Sequence, residues 1–192
     1  MVFSIGFIEE YGADDFERAY ENLSASRKAR VDRYKREDDR KRSLLGEILL
    51  KNLLNDHFNC DAVLETADNG RPFLKDSSLC VSIAHSDSLV VAVVHDAPVG
   101  IDVEKVKEVS LSLIERVCVE NEKRFVCGDK SFNKGEKITN TQVLKRFFTV
   151  WTGKEAYFKK IGTGITDLKS VDIFTLNREV HFMDDYVIQI VK

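Results

Sequence analysis

Helical sequence followed by strand-like sequence occurs twice along this chain, and that order constrains the fold most strongly. From about Arg27 to Asn55 there is no proline and a single glycine, and apolar residues recur at helical spacing. The segment 68–72, Asp-Asn-Gly-Arg-Pro, is a turn signal because Asn-Gly readily adopts positive φ values. The β-rich runs 79–86 and 88–96 then predict an antiparallel pair of strands.

The second half of the chain repeats this order. A short strand at 99–104 and a helix at 110–119 precede a loop at 128–137, which is rich in Gly and Lys. A long helix is predicted over 141–160, closed by the glycines that follow it. The last segments, VDIFTL and DYVIQIVK, are strand-like. We therefore expect an α+β fold in which two similar halves pack together.

The charge of the chain is distributed unevenly. The 192 residues include 29 Lys and Arg against 32 Asp and Glu, and 43% of the residues are hydrophobic, enough to form a core and to argue against disorder. Residues 27–42 and 123–146 nevertheless each carry a net charge of +5. Two basic tracts in an acidic body predict binding of particular anions, whereas a general nucleic-acid binder is more often basic throughout.

Several classes and compartments are disfavoured by simple features. The longest apolar stretch, Leu89 to Val94, is too short to span a bilayer. The N-terminal sequence is acidic and has no basic region before its apolar residues, so we expect no secretory signal. The four cysteines are scattered and form no CxxC pair, which favours reduced thiols. The expected location is the cytoplasm.

One acidic pair could hold a metal ion. Asp102 and Glu104 are two residues apart in Gly-Ile-Asp-Val-Glu, so on a strand both carboxylates project from the same face. A hard divalent cation such as Mg²⁺ relieves the repulsion between two such groups. An ordinary amphipathic strand with a wet acidic face is the alternative interpretation, and this short motif alone leaves it open.

The second-half helix carries charges and aromatic residues on one face. Trp151, Glu155, Phe158 and Lys159 fall at positions i, i+4, i+7 and i+8. Glu155 and Lys159 could be a plain surface pair. A face that also carries two aromatic side chains is partly buried, however, and buried charges need a partner, which here could be a metal or a phosphate.

Five further side chains could bind phosphate. His85 lies near a strand end, where a structural role is the alternative. Arg27 and Arg30 share a helical face, Arg42 lies further along, and Arg71 is restrained in the Gly-Arg-Pro turn. Arginine suits phosphate because its planar fork bonds two oxygens at once. The alternative for 27–42 is a solvated helix face whose charges pair locally with nearby acidic residues.

Five motifs in order resemble the 4′-phosphopantetheinyl transferases of the Sfp (surfactin-synthetase-activating) type. The motifs are Arg-Ser-Leu-Leu-Gly (42–46), Gly-Arg-Pro (70–72), Ser-Ile-Ala-His-Ser (82–86), Gly-Ile-Asp-Val-Glu (100–104) and Trp-Thr-Gly-Lys-Glu-Ala…Lys (151–159). The resemblance covers roughly residues 20–175. One departure is Ala84, which stands before His85 where relatives often carry a hydroxyl residue.

The resemblance implies a pseudo-dimer of two similar α/β halves with coenzyme A between them. We expect residues 1–98 to form the nucleotide-binding half and 99–192 the metal-binding and catalytic half, together one functional unit. The implied reaction is Mg²⁺-dependent transfer of the phosphopantetheine arm of coenzyme A to a serine of an apo acyl or peptidyl carrier protein. Adenosine 3′,5′-bisphosphate is the implied second product.

The resemblance also implies roles for individual residues. Mg²⁺, or Mn²⁺ in its place, would be held by Asp102, Glu104 and Glu155. Lys159 and His85 would bind phosphate oxygens. Because the serine hydroxyl must lose a proton, we expect Glu155 to act as the general base, directly or through a metal-bound water. The 3′-phosphate and nucleotide end would be lined by Arg27, Arg30, Arg42 and Ser43, and the adenine side by Arg71 and Pro72. Glu122 occupies a position where the family often has an acidic residue.

The expected partner is an acidic carrier protein. Its docking surface would be the segment Leu111–Val117 with the basic tract 123–146, for which a solvated loop is the alternative. We expect a monomer that binds neither nucleic acid nor membrane. Two other functions remain open: an Mg²⁺-dependent nucleotide phosphohydrolase using the same carboxylates, and a non-catalytic coenzyme A-binding module.

Overall fold

Helices and strands alternate in two blocks along the chain. The computed structural model describes residues 1–128, 132–133 and 135–192. Its helices are α1 (Ala13–Glu21), α2 (Ala25–Val31), α3 (Glu37–Phe58), α4 (Leu111–Val117), α5 (Glu120–Cys127) and α6 (Thr141–Ile161). Its strands are β1 (Val2–Phe7), β2 (Leu64–Thr66), β3 (Pro72–Leu74), β4 (Cys80–Ser86), β5 (Leu89–His95), β6 (Gly100–Lys105), β7 (Val109–Ser110), β8 (Lys137–Ile138), β9 (Arg178–Met183) and β10 (Tyr186–Val191).

Two antiparallel three-stranded sheets share one topology. The first has the order β1-β5-β4 and the second the order β6-β10-β9. In each sheet the first strand of the block pairs with the second strand of a later hairpin, with Ile5 opposite Val91 in one and Val103 opposite Ile188 in the other. A long helix, α3 or α6, lies between the first strand and the hairpin in sequence. The expected α+β fold of two similar halves is therefore confirmed.

Three apolar clusters explain how the two units pack. One lies between α3 and the first sheet, a second between α6 and the second sheet, and a third between the two sheets. Strand β5 shows the consequence, because Val90, Ala92 and Val94 belong to the first cluster. Leu89, Val91 and Val93 belong to the third cluster. A strand buried on both faces requires the unbroken apolar run found in its sequence.

The single helical run predicted from Arg27 to Asn55 is two helices in the structure. The chain leaves helix α2 after Val31 and enters α3 from Arg36, whose backbone is extended. The first turn of α3 is acidic, at Glu37, Asp38 and Asp39. Carboxylates at this position stabilise the positive end of a helix dipole, so this start signal was present in the sequence.

The helix predicted over 110–119 is confirmed as α4, and a second short helix, α5, follows it. The strand predicted for VDIFTL is wrong. Within VDIFTL the chain forms a 3-10 turn, Ile173–Thr175, in which the Asp172 side chain accepts a hydrogen bond from the Phe174 N–H. The strand follows instead as β9. Part of the predicted loop 128–137 lies outside the described residues.

Other local predictions are confirmed. The Asp-Asn-Gly-Arg-Pro turn joins β2 to β3, and Gly70 has a φ of 83°. Helix α6 ends at Gly162, which adopts a left-handed conformation. Among the residues that the structure describes, no helix combines the length and the apolar character needed to cross a bilayer.

Candidate active site

A close contact between α6 and β6 brings the acidic residues together. A Cβ atom placed on Gly100 would lie 1.9 Å from the Ala156 carbonyl oxygen and 2.6 Å from the Lys160 nitrogen. Only glycine therefore allows the helix backbone to rest directly on the start of β6. This approach sets the side chains of Glu155 and Lys159 against those of the strand.

Asp102 is a buried carboxylate with one oxygen committed and one free. Its Oδ1 accepts a hydrogen bond from Lys159 Nζ at 2.6 Å, and only 3% of the residue is exposed. Its Oδ2 is buried and has no hydrogen-bond partner within the described structure. Burial, and to a smaller extent the charge of Glu104, raises the pKa of Asp102 to about 6 against the opposing effect of Lys159.

Glu155 faces the same acidic group from the helix. Burial, then the negative charge of Asp102, raises the pKa of Glu155 to about 7, and Glu104 contributes in the same direction. Lys159 opposes the shift. Glu104 itself accepts a hydrogen bond from Ser86 Oγ at 2.8 Å. The three carboxylates are therefore near enough to repel one another, as the sequence predicted for Asp102 and Glu104.

These residues fit a hard divalent cation. Carboxylate oxygens are the ligands that Mg²⁺ prefers, and the orphaned Asp102 Oδ2 is a buried acceptor that lacks a donor. Within the described residues, no three acidic, histidine or cysteine side chains converge in a finished coordination geometry. Asp102 and Glu104 are held instead by Lys159 and Ser86. A cation would therefore use oxygens that these partners leave free, among them Asp102 Oδ2.

A cleft of about 300 Å³ runs from this acidic group across to the first half of the chain. It gathers every residue that the resemblance assigned to coenzyme A, together with Glu155. Those lining residues are Arg27, Arg30, Arg42, Ser43, Arg71, Pro72, His85, Glu155 and Lys159. Asp102 and Glu104 do not line this cleft but lie next to residues that do. Asp102 is hydrogen-bonded to Lys159, and both carboxylates are close to Glu155.

The arginines of the cleft differ in how far they are already paired. Arg27 is buried, forms an ion pair with Glu47 and donates to Thr66 Oγ1 at 3.0 Å. Arg42 pairs with Asp39 and donates to the Asp87 carbonyl, while its buried Nε has no partner in the described structure. The local acidic pairing considered for tract 27–42 is thus present at part of its residues. Arg42 lines the cleft and keeps one buried donor, Nε, unpaired within the described structure.

The turn that carries Arg71 closes the cleft against helix α6. Asn69 Nδ2 donates to the Gly162 carbonyl at 3.1 Å. A Cβ on Gly162 would lie 2.5 Å from Arg71 Nη1, so the guanidinium rests on the end of the helix. The turn of one half therefore meets the C-terminus of the long helix of the other half. Asn69 was not among the predicted site residues, although it lies in the Asp-Asn-Gly-Arg-Pro turn.

His85 lies in the cleft among positive charges. Desolvation in the cleft lowers the pKa of His85, and the charges of Arg42 and Lys159 lower it further. The ring nevertheless keeps access to solvent. A neutral imidazole with an accessible edge can donate one hydrogen bond to a phosphate oxygen.

Glu122 is part of a buried ion pair, and its partner Lys154 was not among the predicted site residues. Both side chains of the Glu122–Lys154 pair are 0% exposed, and Lys154 Nζ lies 2.7 Å from Glu122 Oε2. Lys154 also donates to the carbonyls of Val117 and Leu168. Glu122 accepts hydrogen bonds from the backbone N–H groups of Val119 and Ile173. The sequence did hold a signal, because Lys154 interrupts an apolar helical face, and a buried lysine requires an acid.

The proposed docking segment is only partly open to solvent. Val117 is 0% exposed and belongs to the second core, so it cannot contact a partner. Leu111 and Leu113 are half-buried against that core. In the basic tract, the side chains of Arg124 and Lys137 are 76% and 77% exposed. Four residues of the tract, at positions 129, 130, 131 and 134, lie outside the described residues.

Comparison with known proteins gives consistent matches on both halves. A model described as "4′-phosphopantetheinyl transferase, N-terminal" matches residues 12–97, and one described as "4′-phosphopantetheinyl transferase superfamily" matches residues 98–186. The chain is 34% identical over 147 residues to 4′-phosphopantetheinyl transferase gsp of Aneurinibacillus migulanus, covering 75% of this chain and 58% of the relative. It is 31% identical over 148 residues to psf-1 of Bacillus pumilus, with coverages of 75% and 60%.

A third relative is 4′-phosphopantetheinyl transferase Sfp of Bacillus subtilis strain 168. The identity is 25% over 158 residues, or 80% of this chain and 66% of the relative. The chain spans about three fifths of the length of the first two relatives.

Proposed function

Because this chain belongs to the 4′-phosphopantetheinyl transferase superfamily, we propose that it transfers the 4′-phosphopantetheine arm of coenzyme A to a serine of an apo carrier protein. The serine oxygen forms a bond to the β-phosphorus of the coenzyme A pyrophosphate. The bond from that phosphorus to the bridging oxygen breaks, and adenosine 3′,5′-bisphosphate leaves. The observation that best supports this proposal is the cleft lined by four arginines and by Glu155, whose carboxylate lies close to those of Asp102 and Glu104.

Positioning and charge neutralisation account for most of the catalysis of phosphoryl transfer. Asp102, Glu104 and Glu155 would hold Mg²⁺, which neutralises charge on the pyrophosphate when it is bound. Lys159 lines the cleft with 34% of its side chain exposed. An ammonium has three donors, so Lys159 can bond a phosphate oxygen while it keeps one bond to Asp102. His85 supplies a further donor from the first half.

The serine hydroxyl must lose a proton during the transfer. Glu155 suits the role of general base, directly or through a water molecule, because its carboxylate lines the cleft and burial together with Asp102 raises its pKa to about 7 in the metal-free protein. The assignment places the acceptor on the same helix as Lys159, one turn away.

The direct test is to incubate the protein with coenzyme A, Mg²⁺ and an apo carrier protein, and to weigh the carrier by mass spectrometry. We expect a gain of one phosphopantetheine arm, lost when the metal is chelated. Glu155→Gln should lower the transfer rate by roughly 10²- to 10⁴-fold while the melting temperature is kept. Glu120→Gln, at an exposed site of α5, is the matched control. Phosphate release without carrier modification would assign a phosphohydrolase instead.

We further propose that the carrier docks on the half-buried Leu111 and Leu113 and on the adjoining basic tract 123–146. Carrier proteins of this kind are acidic, and complementary charge speeds association. Charge reversal at Lys123, Arg124 and Lys145 should raise the KM for the carrier and flatten its dependence on salt. Reversal of the exposed Lys75, outside the tract, is the control. Equal KM values in the two variants would reject this docking surface.

The proposed compartment is the cytoplasm, and the proposed working unit is a monomer. Free thiols at all four cysteines support a reducing compartment.

A further inference from the structure

Two serines of β4 join the first sheet to the second sheet. Ser82 Oγ accepts a hydrogen bond from the Ile101 N–H at 3.2 Å, and Ser86 Oγ accepts one from the Lys105 N–H at 3.1 Å. Both pairs are four residues apart on their strands and run in the same direction, so β4 and β6 lie parallel. Because residues i and i+4 of a strand point to one face, the two hydroxyls form a regular seam.

The seam satisfies backbone groups that burial would otherwise leave unpaired. The two sheets are separate hydrogen-bonded ladders, and Ser82 is only 5% exposed at their junction. A buried N–H group without a partner costs about 1–3 kcal/mol. At this junction the serine hydroxyls accept hydrogen bonds from backbone N–H groups, as backbone carbonyls do inside each sheet.

Ser86 makes a second hydrogen bond that Ser82 does not share in the described structure. A serine hydroxyl has one proton to donate and two lone pairs to accept with. Since the Lys105 N–H occupies a lone pair, the proton of Ser86 is free to point to Glu104 Oε2, at 2.8 Å. The Glu104 carboxylate is therefore oriented by a side chain from the opposite sheet, itself fixed by the backbone of β6.

We propose that Ser86 is a positioning residue that orients the Glu104 carboxylate for cation binding. The proposal rests on the proposed function, in which Glu104 is a metal ligand. Asp102 is held by Lys159 from the helix side, and Glu104 is held by Ser86 from the sheet side. The seam between the two halves thereby sets the relative orientation of the two carboxylates. Loss of an outer partner of a metal ligand typically weakens metal affinity by roughly 10- to 100-fold.

The test compares Ser86→Ala with Ser82→Ala, which removes a seam hydrogen bond without touching Glu104. Mg²⁺ is titrated calorimetrically into each protein in the presence of saturating coenzyme A, and the melting temperature is recorded. We expect both variants to lose a similar amount of thermal stability. Only Ser86→Ala should weaken Mg²⁺ binding, by roughly 10- to 100-fold. Ser86→Thr, which keeps the hydroxyl, should restore the affinity.

A transfer assay separates positioning from catalysis. The apparent Mg²⁺ constant of Ser86→Ala should rise, and kcat at saturating Mg²⁺ should approach that of the wild type. Equal Mg²⁺ affinity in Ser86→Ala and wild type overturns the proposal and leaves the proposed function standing. If the wild type binds Mg²⁺ but never modifies a carrier, the proposed function is rejected, while weaker Mg²⁺ binding by Ser86→Ala would still support the positioning role of Ser86. A wild type that binds no Mg²⁺ with coenzyme A overturns both.

Discussion

Removing one member of the buried Glu122–Lys154 pair should lower the free energy of unfolding by several kcal/mol, whereas replacing both members together should lower it only a little. Both side chains are 0% exposed, and the two backbone N–H groups and two carbonyls around them complete the network. Lys154→Met deletes the cation and leaves the Glu122 carboxylate in the second core. Removal of one partner from a buried ion pair costs about 3–5 kcal/mol.

A second route gives a similar magnitude. The stranded carboxylate can escape the penalty by taking up a proton, and at pH 7 this costs an ordinary glutamate about 4 kcal/mol, at 1.36 kcal/mol per pH unit. The destabilisation by Lys154→Met should therefore not exceed roughly 4 kcal/mol by much, apart from lost hydrogen bonds. It should shrink by about 1.4 kcal/mol for each unit that the pH falls below 7, since protonation becomes cheaper.

The assay is urea unfolding at pH 7, 6 and 5, together with a thermal melt at pH 7. A destabilisation of 1 kcal/mol lowers the melting temperature of a chain of this size by roughly 2–4 °C, so the melting temperature of Lys154→Met should fall by about 6–20 °C at pH 7. The double variant Glu122→Gln/Lys154→Met should be clearly less destabilised than the sum of the single variants. Lys160→Met, on the same helix but partly exposed, is the control. A penalty that is independent of pH, together with additive single effects, would refute the charge argument.

Three further predictions follow from the site and the core. Gly100→Ala should destabilise the fold by about 3 kcal/mol or more, because the new methyl group meets the backbone of α6; an unchanged urea midpoint would contradict the close contact. Mg²⁺ affinity should fall as the pH drops through about 7 and then 6, where Glu155 and Asp102 take up protons in the metal-free protein. Below both values the affinity should fall by about 100-fold per pH unit, because two protons must then leave. Calorimetry from pH 8 to 5 measures this loss, and an affinity independent of pH would exclude these ligands. Burial raises the pKa of Cys118 to about 12, so iodoacetamide should label Cys60 and spare Cys118 in the native protein, as peptide mass spectrometry can show.

Much of the architecture could be predicted from local patterns. Helical spacing of apolar residues identifies the long α3 and α6, and the Asn-Gly and Gly-Thr-Gly signals identify two turns. Alternation on a strand placed Asp102 and Glu104 on one face. These features depend on residues only a few positions apart, so their geometry follows from the repeat of a helix or a strand.

Local sequence patterns predict the wrong structure in segments where packing decides between competing local signals. The acidic start of α3 was present in the sequence, yet the long apolar pattern around it favoured one continuous helix. The segment VDIFTL has the composition of a strand, but Asp172 caps a turn there instead, and Ile173 enters the second core. The tertiary contacts of Ile173 outweigh its strand preference.

The sequence by itself determined which residue types were available for an anion and metal site, and in what order they occur. Only the tertiary structure decided which of them are free. Arg27 is paired with Glu47, twenty residues away, while Glu104 is held by Ser86 across the seam. Such pairings join elements that no short repeat relates, and whether a charge is desolvated depends on everything packed around it. The sequence therefore determines which chemical groups are present, and the fold determines which of them are paired, buried or charged.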